Sequence, residues 1–164
     1  MVGINNTYGR TAEYSPMLKG VNYSQFLKKS VKPFIDSTYR TLNNAKNTAV
    51  MGSSMGGLIS FHLAWEYPEI FSMAGCLSPA FLVDNSEIVK RVKKTEKERP
   101  IKLVILNGTI DLEAKLQPAI TNMVNVLNDK EFENIIYKIF EDAKHNESAW
   151  AKQVDIPLLF FFGR

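Results

Sequence analysis

The sequence predicts an α/β fold in which a mostly parallel sheet carries helices on both faces. Two observations lead to this prediction. Short apolar runs rich in β-branched residues alternate with longer segments of helical spacing, and no internal repeat or low-complexity stretch interrupts the alternation. Alternating strands and helices form βαβ units, whose strands lie side by side in parallel. The length of 164 residues fits one domain, so we expect residues 1–164 to fold as a single unit.

The first part of the chain has the weakest pattern. Residues 2–4 are predicted to end a strand, and the polar residues 5–22 are predicted to form a loop. Residues 23–39 have helical spacing, but Pro33 lies among them and predicts a kink or a break.

From residue 48 onward, strands and helices are predicted to alternate regularly. The predicted strands are residues 48–52, 72–77, 101–106 and 134–141. The predicted helices are residues 54–67, 85–97, 112–129 and 148–161, and Pro157 interrupts the last of them.

Composition and charge exclude several classes of protein. The net charge of +3 lacks the clustered excess typical of a nucleic-acid binder. No apolar run reaches the roughly 18 residues that a membrane span needs, so no membrane partner is expected. Cys76 is the single cysteine, which excludes an internal disulfide, and the N-terminus lacks a secretory signal pattern. We therefore expect a cytoplasmic protein, and the spacing of its two histidines predicts no metal or other cofactor.

Residues 52–56, Gly-Ser-Ser-Met-Gly, fit the pattern G-x-S-x-G between a predicted strand and a predicted helix. A nucleophilic serine needs such a tight turn, because its oxygen must stand exposed at the end of the strand. Ser54 is therefore the candidate nucleophile, and the backbone N–H of Met55 is the candidate oxyanion donor. The alternative is a glycine- and serine-rich helix start with no chemistry.

A serine nucleophile needs a base and an orienting carboxylate. His145 lies in a polar turn before the last predicted helix and is the candidate base, whereas His62 lies within a helix and is predicted to be structural. Asp111 follows the strand at residues 101–106 and is the candidate acid, with Glu113 and Asp142 as rivals. Asp111 could instead cap the next helix.

The order Ser54, Asp111, His145 is that of α/β-hydrolases. The chain resembles the putative esterase family of that fold, which includes esterase D-like enzymes, feruloyl esterases and siderophore trilactone esterases. The resemblance implies a serine esterase with Ser54 as nucleophile, Asp111 as acid and His145 as base. The segments that carry it are residues 2–5, 10–16, 32–41, 52–57, 77–81, 108–111 and 145–150.

The resemblance begins in mid-fold, so we expect an N-terminally incomplete α/β-hydrolase domain that lacks the first strands. The family's second oxyanion donor would lie in the absent part. An uncovered strand edge recruits other chains, so a homo-oligomer is expected.

The predicted function is hydrolysis of a small-molecule carboxylic ester through a Ser-His-Asp catalytic triad and an acyl-enzyme. The alternative is a catalytically impaired remnant of the fold that acts as a binding protein.

Overall fold

The computed structural model describes residues 1–163. Three helices come first, α1 (Arg10–Glu13), α2 (Gly20–Phe26) and α3 (Lys32–Thr38). The strands are β1 (Ala49–Ser53), β2 (Met73–Leu77), β3 (Lys102–Asn107) and β4 (Ile135–Ile139). The remaining helices are α4 (Met55–Glu66), α5 (Val83–Lys94), α6 (Leu112–Asp129), α7 (Glu147–Ala151) and α8 (Asp155–Phe162).

The four strands form one parallel sheet in the order β1-β2-β3-β4. Each strand pairs with the next one along the chain, so that Val50, Ala74, Leu103 and Ile135 lie in one row across the sheet. Parallel pairing places the carboxyl ends of all four strands at the same edge of the sheet. The predicted α/β class is confirmed, and residues that follow the strands converge at that edge.

Helices cover both faces of the sheet, as predicted. Alternate residues of a strand point to opposite faces, so β2 and β3 contribute to two apolar layers. Ala74, Cys76, Leu103 and Ile105 pack in one buried cluster, which also contains apolar side chains of α4, α5 and α6. The other face carries a smaller buried cluster of Met73, Leu77, Val104, Leu106 and Phe161, the last from α8.

The N-terminal segment differs from its prediction in two ways. Residues 5–22, predicted to form a loop, contain α1 and the start of α2, so this prediction is wrong in part. Residues 2–4 form neither helix nor strand and lie exposed, so the predicted strand end is wrong. Within residues 1–163, β1 pairs only with β2, which leaves the outer edge of β1 without a strand. The predicted disturbance near Pro33 takes the form of a π-helical turn, Leu27–Val31, that joins α2 to α3.

The C-terminal segment consists of two helices, where the sequence predicts one interrupted helix. α7 ends at Ala151, and Pro157 lies in the first turn of α8. A proline fits there because the first helical N–H groups have no partner within the helix. No helix within residues 1–163 combines the length and apolar character needed to cross a bilayer.

Candidate active site

Ser54 occupies a strained turn between β1 and α4. Its backbone has φ 56° and ψ −121°, a conformation that L-residues rarely adopt. Its N–H donates to the carbonyl of Leu77 at 2.9 Å, and its carbonyl accepts from Ala80 N at 3.1 Å. These two bonds tie the turn to the end of β2.

Glycine at position 52 allows the turn to close. A Cβ atom on Gly52 would lie 2.7 Å from the carbonyl carbon and oxygen of Gly56. A Cβ on Gly57 would lie 3.2 Å from Pro79, whereas one on Gly56 would meet nothing within 4 Å. The close approach that defines the turn therefore depends on Gly52, with Gly57 allowing the next loop to pass.

Met55 is the first residue of α4. Within the described part of the chain, its N–H donates to no backbone carbonyl. Helix N-termini carry such unpaired donors together with a partial positive charge. The Met55 N–H could therefore stabilise a negatively charged oxygen beside Ser54.

His145 contacts a carboxylate, and that carboxylate belongs to Glu113. His145 Nδ1 lies 3.0 Å from Glu113 Oε1. The Glu113 side chain is 1% exposed, and that of His145 is 15% exposed. Asp111 is exposed, lies just before α6 and makes no side-chain hydrogen bond within residues 1–163. The structure therefore does not bring Asp111 to His145 as the sequence predicted, and Asp111 does not cap the helix either.

Three donors surround the Glu113 carboxylate. Ser78 Oγ donates to Oε1 at 2.7 Å, Gly108 N donates to Oε2 at 3.1 Å, and His145 Nδ1 lies within hydrogen-bond distance of Oε1. A buried carboxylate is tolerated only with such partners. Gly108 also provides space, because a Cβ on it would lie 2.9 Å from Glu113 Cγ and 2.3 Å from the Ala143 carbonyl oxygen.

An ionised carboxylate can only accept hydrogen bonds. The contact between His145 and Glu113 therefore requires a proton on His145 Nδ1. The neutral ring then has an unprotonated Nε2, which can accept a proton from a hydroxyl group.

Two residues that the sequence reasoning did not assign complete this cluster. Ser78 follows β2 with φ 46°, and its Oγ lies 2.9 Å from Trp150 Nε1. The Trp150 ring packs edge-on against His145, with ring centroids 4.9 Å apart and planes at 83°. A sequence signal existed for both: Ser78 follows a buried strand at the edge that carries Ser54, and Trp150 comes soon after His145.

Ser54 and His145 both follow strands at the carboxyl edge of the sheet. Within residues 1–163, no hydrogen bond joins Ser54 Oγ to His145. Contacts between a nucleophile and its base are often long without substrate and tighten when substrate binds. The structure thus unites His145 with Glu113 and places Ser54 at the same edge.

The two remaining candidates for acid-base chemistry lie apart from this cluster. His62 is 2% exposed within α4, and neither of its ring nitrogens has a hydrogen-bond partner among residues 1–163. Burial, aided by the charge of Arg91, lowers the pKa of His62 to about 4. Asp142 is exposed, and its N–H donates to Thr109 Oγ1. His62 is therefore a neutral, buried helix residue, as predicted.

Comparison with known families agrees with this architecture. The family model described as "Putative esterase" matches residues 12–158. The chain belongs to this esterase family. No curated protein matches the sequence.

Solved structures of esterases share the fold. The enterobactin esterase FES from Shigella flexneri, in the presence of 2,3-dihydroxy-N-benzoyl-serine, superposes with a TM-score of 0.85 at 17% identity. This match covers 96% of the present chain and 41% of FES. An IroE-like serine hydrolase from Shewanella oneidensis gives a TM-score of 0.78 at 18% identity, covering 96% and 58% of the two chains. A ferulic acid esterase gives 0.74 at 16% identity, covering 85% and 60%.

At these identities the likeness establishes a common fold. The chain spans between about two fifths and three fifths of the length of these three esterases.

Proposed function

We propose that this chain is a serine carboxylic-ester hydrolase that acts through an acyl-enzyme intermediate. Ser54 is the nucleophile and His145 is the general base. Glu113 takes the orienting role that the sequence assigned to Asp111. The observation that carries the proposal is the buried Glu113–His145 pair at the same sheet edge as the strained turn of Ser54.

The reaction follows from the roles of these groups. Ser54 Oγ attacks the ester carbonyl carbon while His145 Nε2 accepts the hydroxyl proton. The negatively charged carbonyl oxygen accepts a hydrogen bond from the Met55 N–H. The tetrahedral intermediate then expels the alcohol, which takes the proton from His145. Water then attacks the carbonyl carbon of the acyl-enzyme while His145 Nε2 accepts a proton from it. The bond to Ser54 Oγ breaks, Ser54 Oγ takes the proton from His145, and the carboxylic acid is released.

The substrate is proposed to be a small-molecule ester that carries an aromatic group. One structural relative is a ferulic acid esterase, and another, the enterobactin esterase FES, was solved in the presence of 2,3-dihydroxy-N-benzoyl-serine. An aromatic ring is common to the two compounds, so methyl ferulate is a suitable first probe beside a simple activated ester.

Hydrolysis of p-nitrophenyl butyrate tests the function directly. Ser54→Ala should reduce kcat by at least about 10³-fold, because it removes the nucleophile. Ser53→Ala is the matched control, because Ser53 precedes Ser54 in the same turn and has no role in the proposed reaction. It should leave kcat within about threefold of the parental value. A fluorophosphonate probe should label Ser54 alone. Labelling at Ser53, or a folded protein that neither hydrolyses the ester nor reacts with the probe, would contradict the proposal.

The alternative is a binding protein that retains the fold without efficient turnover. It is favoured by the single assigned oxyanion donor, since loss of one such donor typically lowers kcat by about 10²- to 10³-fold. Saturable binding of methyl ferulate to the parent protein, without hydrolysis, would support this alternative.

We also propose that β1 mediates homo-oligomer formation. Within residues 1–163 its outer edge pairs with no strand, and Met51 on this strand is 36% exposed. Unpaired strand edges present backbone donors and acceptors to other chains. Light scattering should detect a dimer or larger assembly, whereas a monodisperse monomer would contradict the proposal. The cytoplasmic location remains a prediction from the sequence.

A further inference from the structure

We propose that Trp150 and Ser78 form a positioning relay that holds Glu113 and His145 in the arrangement needed for catalysis. The two residues would act through Glu113 and His145 and would not touch the substrate. This proposal rests on the esterase function proposed above, in which His145 is the base.

The direction of each hydrogen bond in the relay is fixed by chemistry. An indole N–H is a donor only, so Ser78 Oγ must accept from Trp150 Nε1 at 2.9 Å. The single hydroxyl proton of Ser78 is then committed to Glu113 Oε1 at 2.7 Å. The carboxylate in turn accepts from His145 Nδ1 at 3.0 Å. The relay therefore favours the tautomer that leaves His145 Nε2 free to accept the proton of Ser54.

Trp150 restrains His145 a second time through direct contact. The two rings meet edge to face, with their centroids 4.9 Å apart. Trp150 lies in α7, which begins after Asn146, and the Asn146 side chain caps this helix by accepting from Ala149 N at 2.9 Å. The relay thus links the residue after β2, the start of α6 and the helix that follows His145.

The backbone of Ser78 is in a conformation that favours glycine, which makes Ser78→Gly a mild way to remove its hydroxyl. At φ 46° a glycine would be less strained than any other residue, yet a serine stands there and is 1% exposed.

Trp65 provides an internal comparison. It is 2% exposed, and its Nε1 is buried with no hydrogen-bond partner in the part of the chain that the structure describes. The two tryptophans of the chain therefore differ in the feature that the proposal uses. Trp65→Phe and Trp150→Phe make the same chemical change, but only the second breaks the relay.

Kinetics of p-nitrophenyl butyrate hydrolysis give the first readout. Trp150→Phe and Ser78→Gly should each lower kcat by about 10- to 100-fold and leave KM within about threefold, because the base is misplaced while substrate binding is not. The melting temperature of Ser78→Gly should lie within a few degrees of the parental value, because glycine accepts the positive φ. Trp65→Phe should retain the parental kcat.

Nitrogen NMR of ¹⁵N-histidine gives a second readout that does not depend on turnover. The chain has two histidines, and a His62→Leu variant identifies the signals of His145. At mildly alkaline pH the parent should show His145 with a protonated Nδ1 and an unprotonated Nε2. Trp150→Phe and Ser78→Gly should move both signals toward the average of the two tautomers, and Trp65→Phe should not.

The two readouts separate the failure of the relay from the failure of the function. Unchanged His145 signals in both relay variants would overturn the relay, whatever the activity. A parent without esterase activity whose His145 signals still respond to Trp150→Phe would overturn the function and support the relay as a structural fact. Loss of kcat together with the tautomer change supports both.

Discussion

Replacing Glu113 by glutamine tests which carboxylate orients His145, the proposed base. The substitution keeps the shape of the side chain and removes its charge. The carboxylate now accepts from Ser78 Oγ, Gly108 N and His145 Nδ1. An amide group offers one oxygen and one NH₂ group, so at least one of these three donors must face another donor.

Both orientations of the amide impair the site. If its oxygen faces His145, its NH₂ group opposes the N–H of Gly108 and the buried loop is destabilised. If its NH₂ group faces His145, it selects the tautomer with a protonated Nε2, which cannot accept the proton of Ser54. The corresponding change in a well-studied serine protease costs about 10⁴-fold in kcat. We expect about 10³- to 10⁴-fold here, or about 4–5.5 kcal/mol of activation free energy.

Asp111→Asn is the matched control. Asp111 is exposed and makes no side-chain hydrogen bond within residues 1–163, so kcat should stay within about threefold of the parent. The assay is hydrolysis of p-nitrophenyl butyrate, with circular dichroism to confirm that both variants are folded. A larger loss in Asp111→Asn than in Glu113→Gln, or equal losses in both, would refute the assignment of Glu113.

Three further predictions concern other residues. Gly52→Ala should lower the free energy of unfolding by about 1–3 kcal/mol in urea, because its Cβ would overlap the Gly56 carbonyl; unchanged stability would contradict this account of the turn. Burial lowers the pKa of His62 from 6.5 to about 4, so the unfolded chain binds a proton more readily below pH 6.5. Between pH 6.5 and 4 the free energy of unfolding of the parent should therefore fall by about 3 kcal/mol more than that of His62→Leu. Equal decreases in the two proteins would refute this. Burial also raises the pKa of the Cys76 thiol, so it should react with Ellman's reagent in urea only; reaction in the folded protein would contradict its burial.

The fold could be predicted because its signals are local. α6 spans Leu112–Asp129, as predicted, because one apolar stripe runs along the whole segment and packs into the core. The observed bounds of the strands β1 to β4 differ from the predicted bounds by at most two residues. The prediction of a strand end at residues 2–4 failed because a strand also needs a partner strand, which a local pattern cannot supply.

The choice between Asp111 and Glu113 could not be made from the sequence. Both follow β3 within a few residues, and each has a carboxylate. Glu113 faces His145 because Ser78 and Gly108 donate to its carboxylate, and because the loop at Ala143 passes close to Gly108. Those contacts join segments that are distant along the chain, so spacing alone does not reveal them.

The consecutive order of the strands has a consequence for synthesis on the ribosome. Domains form as the chain emerges from its N-terminus, and each strand of this sheet can pair with one already made. Ser54, Ser78 and Glu113 are therefore placed early, while His145 and Trp150 arrive with the last helices. A nascent chain that stops at the end of β4 has the Ser54 turn and Glu113 but lacks His145, the proposed base. In the proposed mechanism, ester hydrolysis therefore begins only after this final segment has docked.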